Sequence, residues 1–195
     1  MTARVTLISP AAGAALREAR FDDGFPLDEA GRRGAAAVAG ALPPAGTHLT
    51  APSVRCRETC TALGLDARAV DGLRDLDVGR WRGRSLTEVG AAEPRAVAEW
   101  LADPAAAPHG GESVLALAGR VGAWLEERTA EGGRVLAVVE PAVVRAAVVH
   151  ALGLPPETFW RLDVPPLSLT ELTGRAGRWN LRCGTPLRAA DSAGA

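Results

Sequence analysis

The 195-residue chain has no tyrosine, one methionine, three cysteines and three histidines, and it has no excess of either charge sign. All of its basic residues are arginine, and these 22 cations nearly cancel 23 acidic side chains, which excludes an overall electrostatic footprint for nucleic acid or an anionic membrane. An odd cysteine count in a chain without an export signal argues against a disulfide framework, so Cys56, Cys60 and Cys183 are expected to be reduced. Cys56 and Cys60 share a helix face by spacing and are read as small buried residues rather than a metal pair. No apolar run reaches membrane-spanning length, because the stretch 135–149 is interrupted by Glu140, Pro141 and Arg145. The N-terminal MTARVTLIS lacks the charged, apolar and cleavage regions of a signal peptide, and a cytoplasmic location is expected. The all-arginine, alanine- and glycine-rich composition reads as the base composition of a GC-rich genome and carries no mechanistic information.

What is present is a strand–helix alternation in a chain of single-domain length, 47% hydrophobic. Strands are predicted at 5–9, 47–51, 135–139, 167–172 and 179–182. Helices are predicted from an Asp28 cap to about Leu42, over 53–63, over 86–101 with a break at Pro94, over 112–130, and from Pro141 onward. The amphipathic helix at 112–130 sets Val114, Leu117, Val121, Trp124 and Leu125 on one face. The run 135–139 has the continuous apolar character of a central parallel strand. The expected class is α/β, a three-layer αβα sandwich around a mostly parallel sheet, with one domain over 1–187 and a disordered tail over 188–195.

Five motifs occur in a recognisable order: Pro26-Leu27-Asp28-Glu29-Ala30-Gly31, Pro52-Ser53-Val54-Arg55, Leu73-Arg74-Asp75 through Asp77, Gly79, Trp81 and Gly83, Gly110-Gly111-Glu112-Ser113, and Val135 to Arg145 followed by Leu152-Gly153-Leu154-Pro155. Their order and distances resemble the histidine phosphatase (phosphoglycerate mutase-like) superfamily from about Val5 to Arg182. In that family the first strand ends in Leu-x-Arg-His-Gly, whose histidine becomes a phosphohistidine, and a second histidine helps hold the phosphoryl oxygens. At the corresponding places this chain has Leu7-Ile8-Ser9-Pro10-Ala11 and Glu140, so the resemblance leaves Pro10 at the nucleophile position, Ser9 at its arginine neighbour and Glu140 at the second histidine.

The resemblance implies that Arg55 is a phosphate-binding arginine and that Asp75 stands where the family keeps its general acid. Asp75 and Glu140 are therefore the candidate catalytic residues, and Arg55, Ser9, His109 and Glu112 the candidate ligand-binding ones. Two arginines, two histidines and one acid in the family become here one arginine and two acids, which turns the matched positions toward negative charge. Two like unit charges about 4 Å apart repel by roughly 4 kcal/mol at an effective dielectric near 20, so Glu140 would strongly oppose a phosphate dianion beside it. Arg17 and Arg20 are read as solvated, Trp81 as packing, His48 and His150 as structural, and Ser113 as a further candidate for the pocket wall. The expected function is a degenerate member without phosphohistidine-based phosphatase or mutase activity, keeping a cleft for a small molecule or a protein. The alternative is acid–base chemistry by Glu140 and Asp75 on a non-phosphate substrate. No cofactor and no metal are implied, nucleic acid and membrane are not expected as partners, and homodimerisation is left open.

Overall fold

The apolar run at 135–139 forms the centre of the sheet. In the computed structural model, which describes residues 1–183, β4 (Gly133–Val138) pairs in parallel with β1 (Ala3–Ile8) on one side and β2 (Thr47–Thr50) on the other. β3 (Arg68–Ala69) extends the parallel part beyond β2, while β5 (Leu169–Arg175) runs antiparallel to β1 and is followed by β6 (Arg178–Arg182). The six-stranded order is β3-β2-β4-β1-β5-β6.

The register decides what each face buries. Val5 lies beside Val135 and Leu172, and Leu7 beside Ala137, so these side chains share one face with Trp179 of β6 and are all buried. That face carries α6 (Val114–Glu131) and α7 (Pro141–Leu152), which pack on one another and on β1, β5 and β6. Leu117, Val121, Trp124 and Leu125 line the buried side of α6, as the helical spacing predicts, and truncating Leu125 to Ala is expected to cost about 2–5 kcal/mol. The opposite face buries Ile8, Leu136, Val138 and Thr50, with α2 (Glu29–Val38) packed on α3 (Val54–Ala62), and α3 in turn on β2 and β4. The fold is thus α/β with helices on both sides of a mostly parallel sheet.

Local chemistry sets the helix ends. Asp28 caps α2 by accepting from Gly31 N at 2.8 Å, and Ser53 caps α3 by accepting from Cys56 N at 3.2 Å. α2 ends at Val38 and tightens into a 3₁₀ turn at Ala39–Ala41, before Pro43-Pro44 rather than at Leu42. Pro94 splits the predicted 86–101 helix into α4 (Leu86–Ala92), closed by a Ser85/Glu88 capping box, and α5 (Pro94–Ala102). Two short elements carry no readable sequence signal, α1 (Ala14–Arg17) and the two-residue β3.

Two loops cross at van der Waals limit where the sequence shows glycine. A Cβ on Gly111 would lie 2.0 Å from the Asp77 carbonyl oxygen, and one on Gly79, at φ +49°, would lie 2.3 Å from the His109 carbonyl oxygen. Arg80 N donates to His109 O at 3.1 Å and Glu112 N to Asp77 O at 2.7 Å, which locks the crossing. Among the described residues no helix is long and apolar enough to cross a membrane. The tail expected over 188–195 lies outside the described residues.

Candidate active site

The carboxyl ends of β1, β2 and β4 and the loops that follow them surround a cleft of about 530 Å³, the place where open α/β sheets bind ligands. Its polar lining includes Asp22, Ser53, Arg55, Asp75, Glu140 and Arg145. Phe21, Phe25, Trp100, Phe159 and Trp160 supply an aromatic wall.

Glu140 follows β4 directly and stands at the N-cap of α7, with Pro141 at the first helical position. Its side chain is fully buried, and its oxygens are matched by donors from α3. Ser53 Oγ donates to Oε1 at 2.8 Å, Arg55 Nε donates to Oε1 at 3.3 Å, Arg55 Nη2 donates to Oε2, and the Cys56 thiol approaches Oε1 at 3.5 Å. The forked arginine on a carboxylate is the strong form of the ion pair, and burial on both sides keeps solvent from screening it. Burial first, and then the Glu140 charge, push the Cys56 thiol well above its usual value, so it serves as a neutral donor.

Asp75 hangs from the loop after β3. Its carboxyl is pushed up to about 8, first by burial and then by the charge on Glu140, so it is largely protonated at neutral pH. Asp22 is raised in the same direction by burial and, secondly, by Glu140. Burial and the neighbouring Glu140 charge thus keep the proton on Asp75 and make Asp22 more basic than an ordinary exposed acid.

Arg145, one helical turn into α7, reaches the same cleft. Its Nε donates to Leu162 O at 2.8 Å and its guanidinium lies 5.8 Å from the Phe159 ring centroid. Among the described residues no carboxylate lies within ion-pair distance of it, whereas the other cleft arginines are paired: Arg55 with Glu140, Arg20 with Glu18 and Glu88, Arg74 with Asp71, and Arg82 with Asp77. Sequence reading named neither Arg145 nor Asp22 as a site residue. Arg145 closes the same motif as Glu140, so its signal was present in the sequence; Asp22 belongs to no motif.

The remaining sequence candidates are distributed as follows. Arg55, Asp75 and Glu140 come together in the cleft. Ser9 is fully buried beside the segment before β5, donating to Pro165 O and lying 3.1 Å from Ser168 Oγ, and neither it nor Pro10 lines the cleft. His109 is buried behind the cleft wall, 5.0 Å from the Trp81 ring centroid, with Nδ1 accepting from Gly111 N at 3.0 Å. Burial lowers its pKa, so the ring is neutral at physiological pH. Glu112 faces away from the cleft and clamps Arg120 with contacts of 2.9 and 2.6 Å. Arg120 in turn donates to the carbonyls of Gly72 and Arg74 at 3.0 Å, so Glu112 positions the Asp75 loop from behind. Ser113 caps α6. Trp81 is fully buried among Phe21, Trp100 and His109. Arg17 pairs with Asp28, while Arg20 does line the cleft.

The shift of the matched positions toward negative charge is offset in three dimensions. Glu140 is neutralised by Arg55, Asp75 keeps its proton, and Arg145 adds a cation that has no carboxylate at ion-pair distance among the described residues.

Comparison with known proteins bears on the same site. The family model described as histidine phosphatase superfamily (branch 1) matches residues 14–184, beginning just beyond Pro10. A bifunctional protein of Mycobacterium tuberculosis is 30% identical over 156 residues, 74% of this chain and 43% of that protein, so the chain spans less than half the length of that relative. A glucosyl-3-phosphoglycerate phosphatase of Mycolicibacterium vanbaalenii is 32% identical over 160 residues, 65% of this chain and 69% of that one. Among solved structures, mycobacterial hydrolase 1 superimposes with a TM-score of 0.82 at 26% identity, covering 94% of this chain and 98% of that one. A mycobacterial glucosyl-3-phosphoglycerate phosphatase superimposes with a TM-score of 0.81 at 25% identity, covering 93% and 97%. Relatives named as phosphatases and hydrolases overturn the expectation of a degenerate chain without phosphatase activity, and they do not favour acid–base chemistry on a non-phosphate substrate. The charge count behind that expectation missed Arg145 and treated Asp75 as ionised. With the ordered motifs, the sheet topology and a family match over most of its length, the chain belongs to the histidine phosphatase superfamily, branch 1.

Proposed function

We propose that the chain is a phosphomonoester hydrolase that transfers the phosphoryl group directly to water. The observation that carries this reading is a protonated carboxyl, Asp75, beside an unpaired guanidinium, Arg145, in one open cleft.

Arg145 is suited to hold phosphoryl oxygens, since a planar fork of donors matches an oxyanion and, among the described residues, no carboxylate lies at ion-pair distance from it. Asp75 donates its proton to the leaving oxygen as the phosphorus–oxygen bond breaks, which is general-acid catalysis by a group with a pKa near the working pH. Glu140 acts through Asp75: its charge, fixed by Arg55, Ser53 and Cys56, helps keep the Asp75 proton in place. Water attacks phosphorus and gives its proton to Asp22, whose raised pKa makes it a better base than an ordinary carboxylate. Asp22 then returns that proton through solvent to Asp75, so the cycle closes. Phosphoryl transfer through a loose transition state asks for positioning and charge stabilisation more than for a strong nucleophile, and Pro10 offers none.

The reduced-cysteine expectation fits a cytoplasmic setting, since Cys56 and Cys60 are free and buried. The test is phosphate release from a panel of aryl, sugar and glycerate phosphates, with acid quenching to trap any phosphoenzyme. Release without a trapped intermediate, lost in Arg145→Ala with the melting temperature kept, supports the reading. Absence of release above buffer across the panel overturns it.

A further inference from the structure

Far from the cleft, the face of the sheet that carries α2 and α3 has a part which no helix covers among the described residues. By register Arg4 lies beside Arg134, Thr173 lies beside Arg4, and Arg175 lies opposite Arg178, with Asn180 and Arg182 on the same face. Five arginines thus share this face with one acid, Glu171, which pairs with Arg182 at 3.2 Å. Arg4, Arg134, Arg175 and Arg178 are exposed, and among the described residues none has a carboxylate within ion-pair distance.

Like charges set directly opposite across a strand pair destabilise it, and this face holds two such pairs. The second flanks the two-residue turn Ala176-Gly177, both residues of which have positive φ, so hairpin geometry forces Arg175 and Arg178 together. In a chain with a formal net charge of −1, such clustering is a local asymmetry. Next to the first pair lies a groove of about 480 Å³, floored by Arg4, Thr6, Arg134 and Thr173 and bordered by Pro43, Pro44 and Ala45.

We propose that this face is a docking site for an extended acidic polypeptide segment of a partner protein. An extended chain repeats its side chains on one side about every 6.6–6.8 Å, the same period that separates the row of Arg4 and Thr173 from the row of Arg175 along the strands. Carboxylates at alternate positions therefore fall opposite successive arginines and relieve the repulsion within each pair. A nucleic acid fits less well. No aromatic side chain stands among these outward residues to stack bases, Glu171 sits on the groove floor, and a duplex is too thick to enter the groove.

The experiment uses the full chain and a fluorescein-labelled decapeptide of alternating glutamate and threonine, followed by anisotropy at low and at physiological salt, with a short DNA duplex in parallel. Saturable peptide binding that weakens with salt is expected, reduced at least about tenfold in Arg4→Ser/Arg134→Thr and in Arg175→Thr/Arg178→Thr. Both double variants are expected to melt at or above the wild-type temperature, because each removes a repulsive pair. Absence of saturable peptide binding at low salt, peptide binding unchanged in both variants, tighter binding of the duplex than of the peptide, or a lowered melting temperature in both variants would each overturn the proposal.

Discussion

β1 and β4 are neighbours in the sheet, yet their carboxyl ends have taken opposite courses. Beyond β1 the chain is sealed: Ser9 is buried, its backbone N–H donates to Ser168 O at 3.1 Å, its hydroxyl accepts from Ser168 N at 3.0 Å, and Pro10 is buried beside it. Beyond β4 the chain opens onto the cleft with a fully buried carboxylate, Glu140, held by Ser53, Arg55 and Cys56. One end exchanged polar chemistry for packing. The other kept a charge where desolvation is costly and matched it with a cation. In the mechanism proposed above, chemistry that the resemblance assigns to two strand ends falls to the loops that carry Asp22 and Asp75 and to α7 with Arg145, all of which line the cleft.

The largest effect should come from breaking the β4 end. Arg55→Ala leaves Glu140 buried without its cation, and denaturant unfolding should show a loss of about 3–5 kcal/mol, with Glu140→Gln in the same background recovering part of it. Recovery in the double variant would separate an uncompensated charge from simple loss of packing. Next in size is Asp75→Asn, which keeps the shape and removes the transferable proton. It should lower kcat/KM for a phosphomonoester by about 100-fold or more at neutral pH while leaving KM within a few-fold.

The pH dependence of stability follows with a definite sign. A carboxyl whose folded pKa is raised to about 8 from an unfolded value near 3.9 leaves the folded state holding more protons than the unfolded state between those values. Its favourable contribution is therefore complete below about pH 4 and is lost as pH rises through about 8. Wild-type stability should fall over that window more steeply than that of Asp75→Asn, as read by unfolding midpoints at several pH values. The smallest effect belongs to the β1 end: Ser9→Ala removes contacts with Pro165 and Ser168, costing about 1 kcal/mol of stability, and leaves phosphate release unchanged. A large loss of turnover in Ser9→Ala with the fold kept would erase the contrast between the two ends.

The fold was legible because its signals are local and redundant. The apolar run at 135–139, the cap at Asp28, the break at Pro94 and Pro141 as the first residue of a helix all mark elements that form as read. The Gly79 and Gly111 positions were visible as motif glycines, but their cause, two backbones crossing within contact distance, is a tertiary fact. The site was half legible. Motif matching brought Arg55, Asp75 and Glu140 to one cleft, yet the count of charges at matched positions assumed every acid ionised and stopped before Arg145. Protonation of Asp75 arises from burial and from Glu140, two causes that no linear spacing contains. Glu112 shows the converse case: its motif promises a pocket residue, and its geometry makes it a clamp on Arg120 behind the Asp75 loop.

The pH profile of phosphomonoester hydrolysis by wild-type protein and by Asp75→Asn tests the central claim most directly. The account predicts wild-type kcat/KM that declines as pH rises through about 8, a much lower profile without that decline for Asp75→Asn, and no phosphoenzyme on acid quench. Wild-type hydrolysis with an unchanged profile in Asp75→Asn, or a trapped phosphoenzyme, would contradict it.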